Sequence, residues 1–450
     1  MSATTLERPV VSVRGHWIDD WRPEDPAFWE HTGARVARRN LAWSIFAEHI
    51  GFSVWTMWSV LVLFLGPQYG IDPAGKFLLT AVPALVGSVL RIPYTFAVAR
   101  FGGRNWTIVS ATLLLVPSVL AAVLIEPGVR YTTLLILSAI AGVGGGNFAS
   151  SMANINAYYP DRLKGWALGI NAGGGNLGVA AVQLVGLFVL AVFGAGRPGL
   201  VAGIYIPFIV LAALGSALFM DNLSQARNDK RGMRDATREP HAWIMSLLYI
   251  GTFGSFIGFG FAFGQVLQVQ FADAFHTPVQ AAYLTFLGPL LGSLIRPVGG
   301  ALADRLGGAR VTLCTFVLMS AGAAIVAMAS QQRSLPLYLT GFIALFVFSG
   351  IGNGSTYKMI PAIFRRKYAD DRDARRISAA VIGMAGAIGA FGGVLVNLAF
   401  RQSFLTTGSA DAAYLAFIAF YVLCVVVTWM VYLRARPGLR RSDPHPAGVR

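Results

Sequence analysis

Two stretches of this 450-residue chain set an arginine inside an otherwise apolar run: SVLRIPYTFAVARFGG at 88–103 and SLIRPVGGALADRLGG at 293–308. Arg91 and Arg296 each stand eight residues ahead of matching loop positions, Ala99 and Asp304. At about 1.5 Å per helical residue that is roughly 12 Å of depth, farther than a side chain easily snorkels from a helix end. Both guanidiniums are therefore expected to face a protein interior. Arginine offers planar, forked donors that grip planar oxyanions through paired hydrogen bonds, a role lysine cannot copy. Recognition of an anion is thus the chemistry on offer. Bond-making is not: His16, His31, His49, His241, His276 and His445 are scattered, and no nucleophile–base constellation or metal spacing accompanies them. No enzyme activity, metal or cofactor is expected.

The remaining ionisable residues within apolar runs are few. Lys358 lies in GNGSTYKMIP, and of 21 acidic residues only Glu48, in AEHIGF beside His49, falls inside a predicted span. Three interior cations against one carboxylate leave an imbalance that is unfavourable in hydrocarbon unless something mobile and negative sits there. On the residues alone, the substrate is a small inorganic or carboxylate anion. A Glu48–Lys358 bridge is one reading of the minor charges. Titration of Glu48 or His49, coupling protons to anion entry, is another. Tyr249, one turn before Phe253, adds a hydroxyl donor.

The elements that position these residues are membrane helices. Hydrophobic residues make up 55% of the chain, charged residues 13%, and the mean hydropathy is +0.60. A soluble domain needs roughly a quarter of its residues charged. Apolar runs long enough to span about 30 Å of hydrocarbon are predicted at 41–65, 77–98, 106–125, 131–157, 166–194, 200–219, 242–270, 279–302, 311–330, 337–362, 377–400 and 412–434. The fold class is all-α, with twelve transmembrane helices. Residues 1–39 contain WIDDWRPEDPAFWEH and lack the apolar core of a signal peptide, so the first span is expected to be uncleaved.

The net charge of +15 is topological and does not point to nucleic acid. Of the 36 Lys and Arg, 28 fall on the side of the termini, five (Lys76, Arg130, Arg197, Arg333 and Arg401) on the other, and three within spans. That bias follows the positive-inside rule and puts both termini in the cytoplasm, in a cytoplasmic (inner) membrane, with the lipid bilayer as the main partner. Cys314 and Cys424 lie in spans and read as packing residues.

The chain divides into a cytoplasmic segment 1–39, a six-helix half 40–220, a charged linker 221–241, a second six-helix half 242–434 and a tail 435–450. The halves repeat. GVGGGNFASS at 142–151 aligns with GIGNGSTYKM at 350–359, setting Gly144 and Gly146 over Gly352 and Gly354, and GINAGGGNLGV aligns less closely with GMAGAIGAFGGV. Parallel six-helix repeats are the plan of a transporter whose site lies between its halves. The glycines, with Gly173, Gly175, Gly386 and Gly389, let helix backbones approach closely; in spans five and eleven they read either as tight packing or as smooth faces on which the halves rock.

GGALADRLGGAR at 299–310 resembles the cytoplasmic loop motif of the major facilitator superfamily, with TFAVARFGGR as a degenerate first-half copy in which Ala99 replaces the acid. GGGNFASSMANI and NAGGGNLGV resemble the glycine-rich signature of the nitrate/nitrite porter family, and YIGTFGSFIGFG at 249–260 resembles its seventh helix. The resemblance runs from about residue 35 to 434. It implies the major facilitator fold, nitrate and nitrite as substrates, Phe148 and Phe253 as an aromatic clamp and Asn176 as a polar residue near the site. It also implies that spans five and eleven border the opposite half. The expected activity is nitrate-in/nitrite-out exchange by alternating access in a monomer. A proton-coupled nitrate symporter and, more distantly, an anion channel are the alternatives.

Overall fold

The structure, a computed structural model, describes residues 13–226, 229–275 and 278–434. In hydrocarbon no water can satisfy a free N–H or C=O, so each apolar run closes its backbone hydrogen bonds on itself. Twelve helices long and apolar enough to cross a membrane result: α1 (Pro26–Phe64), α2 (Pro73–Phe101), α3 (Gly103–Leu124), α4 (Tyr131–Tyr158), α5 (Asp161–Phe193), α6 (Gly199–Phe219), α7 (Pro240–Gln270), α8 (Val279–Leu306), α9 (Gly308–Gln331), α10 (Leu335–Lys367), α11 (Asp371–Thr407) and α12 (Asp411–Leu433). All twelve predicted spans are present, and most run past their predicted ends. The added turns are polar: α5 begins at Asp161, α11 at Asp371, and α10 ends in Arg365, Arg366 and Lys367.

From residue 13 onward the N-terminal segment is more ordered than its polarity suggests. Asp25 accepts from the backbone N–H groups of Ala27 and Phe28 and starts α1 at Pro26, well before the predicted boundary at residue 40. Upstream, β1 (Val13–Arg14) and β2 (Trp17–Ile18) form a small sheet in which β2 pairs in parallel with β3 (Asn222–Leu223), just past α6. Trp21 Nε1 donates to the Tyr158 carbonyl at 3.1 Å, and Asp221 accepts from Arg39 at 2.5 Å and Asn40 at 3.2 Å. The leader and the start of the linker thereby strap the ends of α1, α4 and α6 together. A short helix, Lys230–Arg238, lies farther along the linker. The tail 435–450 lies outside the described residues.

Between the halves, α2 packs on α11 and α5 on α8. At the end away from the chain termini, Thr80 donates to Asn397 at 2.8 Å, Gln265 donates to the Pro73 carbonyl at 2.7 Å, and Phe77 stacks against Phe400 and Phe404, each at 5.4 Å. At the basic end Asp161 of α5 pairs with Arg375 of α11. The glycines of α5 and α11 include packing positions. A Cβ at Gly175 would meet Glu48, and one at Gly389 would meet Tyr249; both contacts are within a half. A Cβ at Gly173 would meet open space, so close packing does not require a glycine there.

The Thr80–Asn397 bond crosses the halves in a buried setting, where a lost partner costs about 1–3 kcal/mol. Thr80→Val is expected to shift the population toward separation at that end. Spin labels on exposed Gln68 and Thr406 check this: the distance distribution should gain a longer component absent from the parent protein.

Candidate functional site

Two irregular turns shape the centre of the bundle. α4 tightens into a 3₁₀ turn over Gly142–Gly146, and α7 widens into a π turn over Ile250–Gly254. Such departures redirect backbone carbonyls and side chains, and in membranes they are tolerated only where protein or a cavity absorbs them. Here the Gly145 carbonyl accepts from Arg91 Nε at 3.2 Å, and the π turn carries Phe253 into the centre.

Glycine sets how near the arginines come. Gly87 and Gly292 each lie one turn before an arginine. A Cβ at Gly87 would sit 2.3 Å from Trp55 Nε1 and 3.1 Å from Gly145 Cα; one at Gly292 would sit 2.9 Å from Phe256 and from the Phe346 carbonyl. The signature glycines act alike. A Cβ at Gly144 would lie 2.2 Å from the Gly51 carbonyl, at Gly146 2.7 Å from the Tyr94 ring, at Gly352 2.5 Å from Thr252 and at Gly354 2.3 Å from the Arg296 carbonyl. These four are packing positions.

Arg91 and Arg296 are 1% and 8% exposed. Arg91 Nη1 donates to the Gly386 carbonyl of α11 at 2.7 Å, crossing between halves, and Arg296 Nη2 donates to the Tyr249 hydroxyl at 3.0 Å. Arg91 Nη2 and Arg296 Nη1 have no hydrogen-bond partner. Both guanidiniums approach one ring: their Cζ atoms lie 5.0 and 6.0 Å from the Phe253 centroid. Arg91 also lies 4.6 Å from Phe148 and 5.4 Å from Trp55, and Arg296 5.4 Å from Tyr357. Phe253 stacks on Phe148 at 6.2 Å and on Tyr249 at 5.2 Å, at interplanar angles of 27° and 9°. The result is a flat, aromatic-walled site with one free N–H arm from each half.

The minor charges divide differently from expectation. Glu48 is 1% exposed; its Oε2 accepts from Asn171 at 2.7 Å, while Oε1 has no partner, and it interacts electrostatically with both arginines. Asn171 also bonds Ser151, which meets Ser44. His49 Nδ1 pairs with the Gly174 carbonyl at 3.0 Å, tying α1 to α5. Lys358 is corrected outright. Its ammonium pairs with Asp304 at 2.8 Å, with side chains 48% and 59% exposed. α8 continues as helix to Leu306, so Asp304 stands on its last turn and draws Lys358 toward the basic end. Among the described residues of the site, two cations therefore oppose one carboxylate.

Arg91, Arg296, Phe148, Phe253 and Tyr249 converge as the sequence suggested. Asn176 is buried on α5 with its side-chain oxygen unpaired, but it makes no polar contact with the arginines. Tyr357, Trp55 and Asn171 were missed. Tyr357 adjoins Lys358 in GNGSTYKMIP and was masked by it, while the other two carried no charge to flag them. Buried polar atoms without partners fall on both halves, on Glu48, Arg91, Asn147, Asn176, Arg296, Asn353 and Tyr357. Native interiors rarely leave such groups unpaired without a ligand or water to serve.

Two six-helix halves around a buried, cation-bearing seam are the plan of a membrane transporter. The Major Facilitator Superfamily model matches residues 45–267 and 248–449. The chain is 36% identical to the nitrate/nitrite transporter NarU of Salmonella typhimurium, over 96% of this chain and 99% of that protein. It is 36% identical to NarU of Escherichia coli, over 93% and 96%, and 34% identical to the Thermus thermophilus protein named "Probable nitrate/nitrite antiporter NarK2", over 94% and 98%. The crystal structure of the nucleoside transporter NupG superposes with a TM-score of 0.63 at 12% identity, over 87% of this chain and 100% of that one, a likeness of fold alone. The chain belongs to the major facilitator superfamily and, within it, to the nitrate/nitrite porter family.

A methyl group at position 389 would lie 2.3 Å from Tyr249 Cδ1, forcing the tyrosine off Arg296. Gly389→Ala is expected to weaken anion binding about tenfold, or about 1.4 kcal/mol. Gly173→Ala, placed in open space, should leave it unchanged. Calorimetric titration of the purified protein distinguishes the two.

Proposed function

We propose that this protein exchanges nitrate for nitrite across the cytoplasmic membrane, as a monomer with both termini in the cytoplasm. The observation that carries the reading is the pair of buried guanidiniums over Phe253, each with an unpaired N–H arm. Paired, forked donors against a flat aromatic wall suit a thin trigonal ion. Tetrahedral sulfate or phosphate fits such a slot poorly. The names of the relatives, transporters and antiporters of nitrate and nitrite, support the same substrates.

Two cations and one carboxylate leave one positive charge, which a single monovalent anion neutralises. Ligand binding then favours the occluded arrangement through its differential affinity for occluded over open states. Nitrate and nitrite carry equal charge, so one-for-one exchange is electroneutral. The positive-inside bias supports the orientation.

Proteoliposomes loaded with nitrite test the reading directly. Labelled nitrate uptake is expected to accelerate over nitrite-free vesicles, and Arg91→Lys and Arg296→Lys should each lower it at least a hundredfold, since lysine loses the fork. Normal transport by both lysine variants would overturn the site.

A second reading, proton-coupled nitrate entry, is favoured by one observation: Glu48 is fully buried, holds an unpaired oxygen and couples to both arginines. Under exchange, Glu48→Gln is expected to retain nitrite-stimulated nitrate uptake. Loss in that variant of an uptake driven by a pH gradient, with counterflow intact, would establish the second reading.

A further inference from the structure

Tyr357 stands where the two arginine contacts meet. Its ring lies 4.7 Å from the Tyr249 ring and 5.4 Å from Arg296 Cζ. Its hydroxyl is buried and faces Tyr249, yet no donor or acceptor completes a hydrogen bond of good geometry with it. On the other side, a Cβ at Gly386 would lie 3.2 Å from that hydroxyl and 3.8 Å from the Phe148 ring, and the Gly386 carbonyl holds Arg91 Nη1. The hydroxyl thus sits between Tyr249–Arg296 and Gly386–Arg91, beside the shared aromatic wall.

An anion held by Arg91 Nη2 and Arg296 Nη1 uses two oxygens. Nitrate has a third; nitrite does not. A hydroxyl is suited to tell them apart, because it donates one directional hydrogen bond and adds no charge that would attract both ions alike. Sites built to pair a polar atom discriminate strongly against analogues lacking it, since the buried site group is then left unpaired. We propose that the Tyr357 hydroxyl is a third donor of the anion site and sets its preference for the three-oxygen over the two-oxygen anion. This rests on the exchange site proposed above.

Tyr357→Phe keeps the ring against Arg296 and removes only the donor. Affinities for nitrate and nitrite are measured separately by calorimetry on parent and variant, with Arg91→Lys alongside. The expected result is a nitrate Kd raised about tenfold, with the nitrite Kd changed less than about twofold. Equal changes for both anions, or none, would overturn the inference while the arginine-dependent site stands. Failure of the parent to bind either anion, or normal binding by Arg91→Lys, would instead sink the site itself. Should Tyr357→Phe fail to fold, Gly386→Ala displaces the same hydroxyl, and the same ratio is read.

Discussion

Two permanent charges share one aromatic ring in the middle of an apolar bundle. An isolated arginine at mid-membrane costs about 2.5–3.5 kcal/mol on insertion scales. Here the cost is offset by the Gly145 and Gly386 carbonyls, the Tyr249 hydroxyl and the faces of Phe148, Phe253 and Trp55. Cation–π contacts of this kind are worth about 0.5–2 kcal/mol each. The relief is partial, since one arm of each fork is unpaired and, among the described residues, only Glu48 supplies negative charge nearby. The tight turn in α4, the wide turn in α7 and the glycines before each arginine all bring these charges together without letting them touch lipid.

The same contacts join the site to the seam between halves. Arg91 belongs to α2 but holds the carbonyl of Gly386 on α11, and Phe253 of α7 stacks on Phe148 of α4. In the proposed exchange cycle, a change in how an anion occupies Arg91 would therefore be felt at the interface between the halves. Toward one end that interface is hydrogen-bonded and aromatic; toward the basic end it is ionic and exposed. A direct interior pairing resists opening more than an exposed ion pair, which is worth little in water. The N-terminal strap lies within one half, where it ties the ends of three helices together.

Much of this was legible in the residues. Hydropathy marked all twelve helices, and the depth of Arg91 and Arg296 from their loops placed both inside. Failures came where a residue's partner, and not its type, decides its place. Lys358 looked interior by position, but α8 extends far enough to present Asp304 to it. Tyr357, next door, carried no signal because a tyrosine in an apolar helix is ordinary; only its neighbours and its unpaired hydroxyl single it out. The glycines of α5 left two readings open, tight packing and smooth faces between the halves; Gly174, Gly175 and Gly178 pack on α1 of the same half, a choice of partner that glycine spacing alone does not reveal. The small sheet formed by the leader depends on pairing across some two hundred residues, which no local pattern reveals.

The most direct measurement is a structure of the protein determined in saturating nitrate. Planar density is expected over the Phe253 ring, with oxygens about 3 Å from Arg91 Nη2 and Arg296 Nη1. Density for the anion at any other place, with both guanidinium arms unchanged, would contradict a site made by the two arginines.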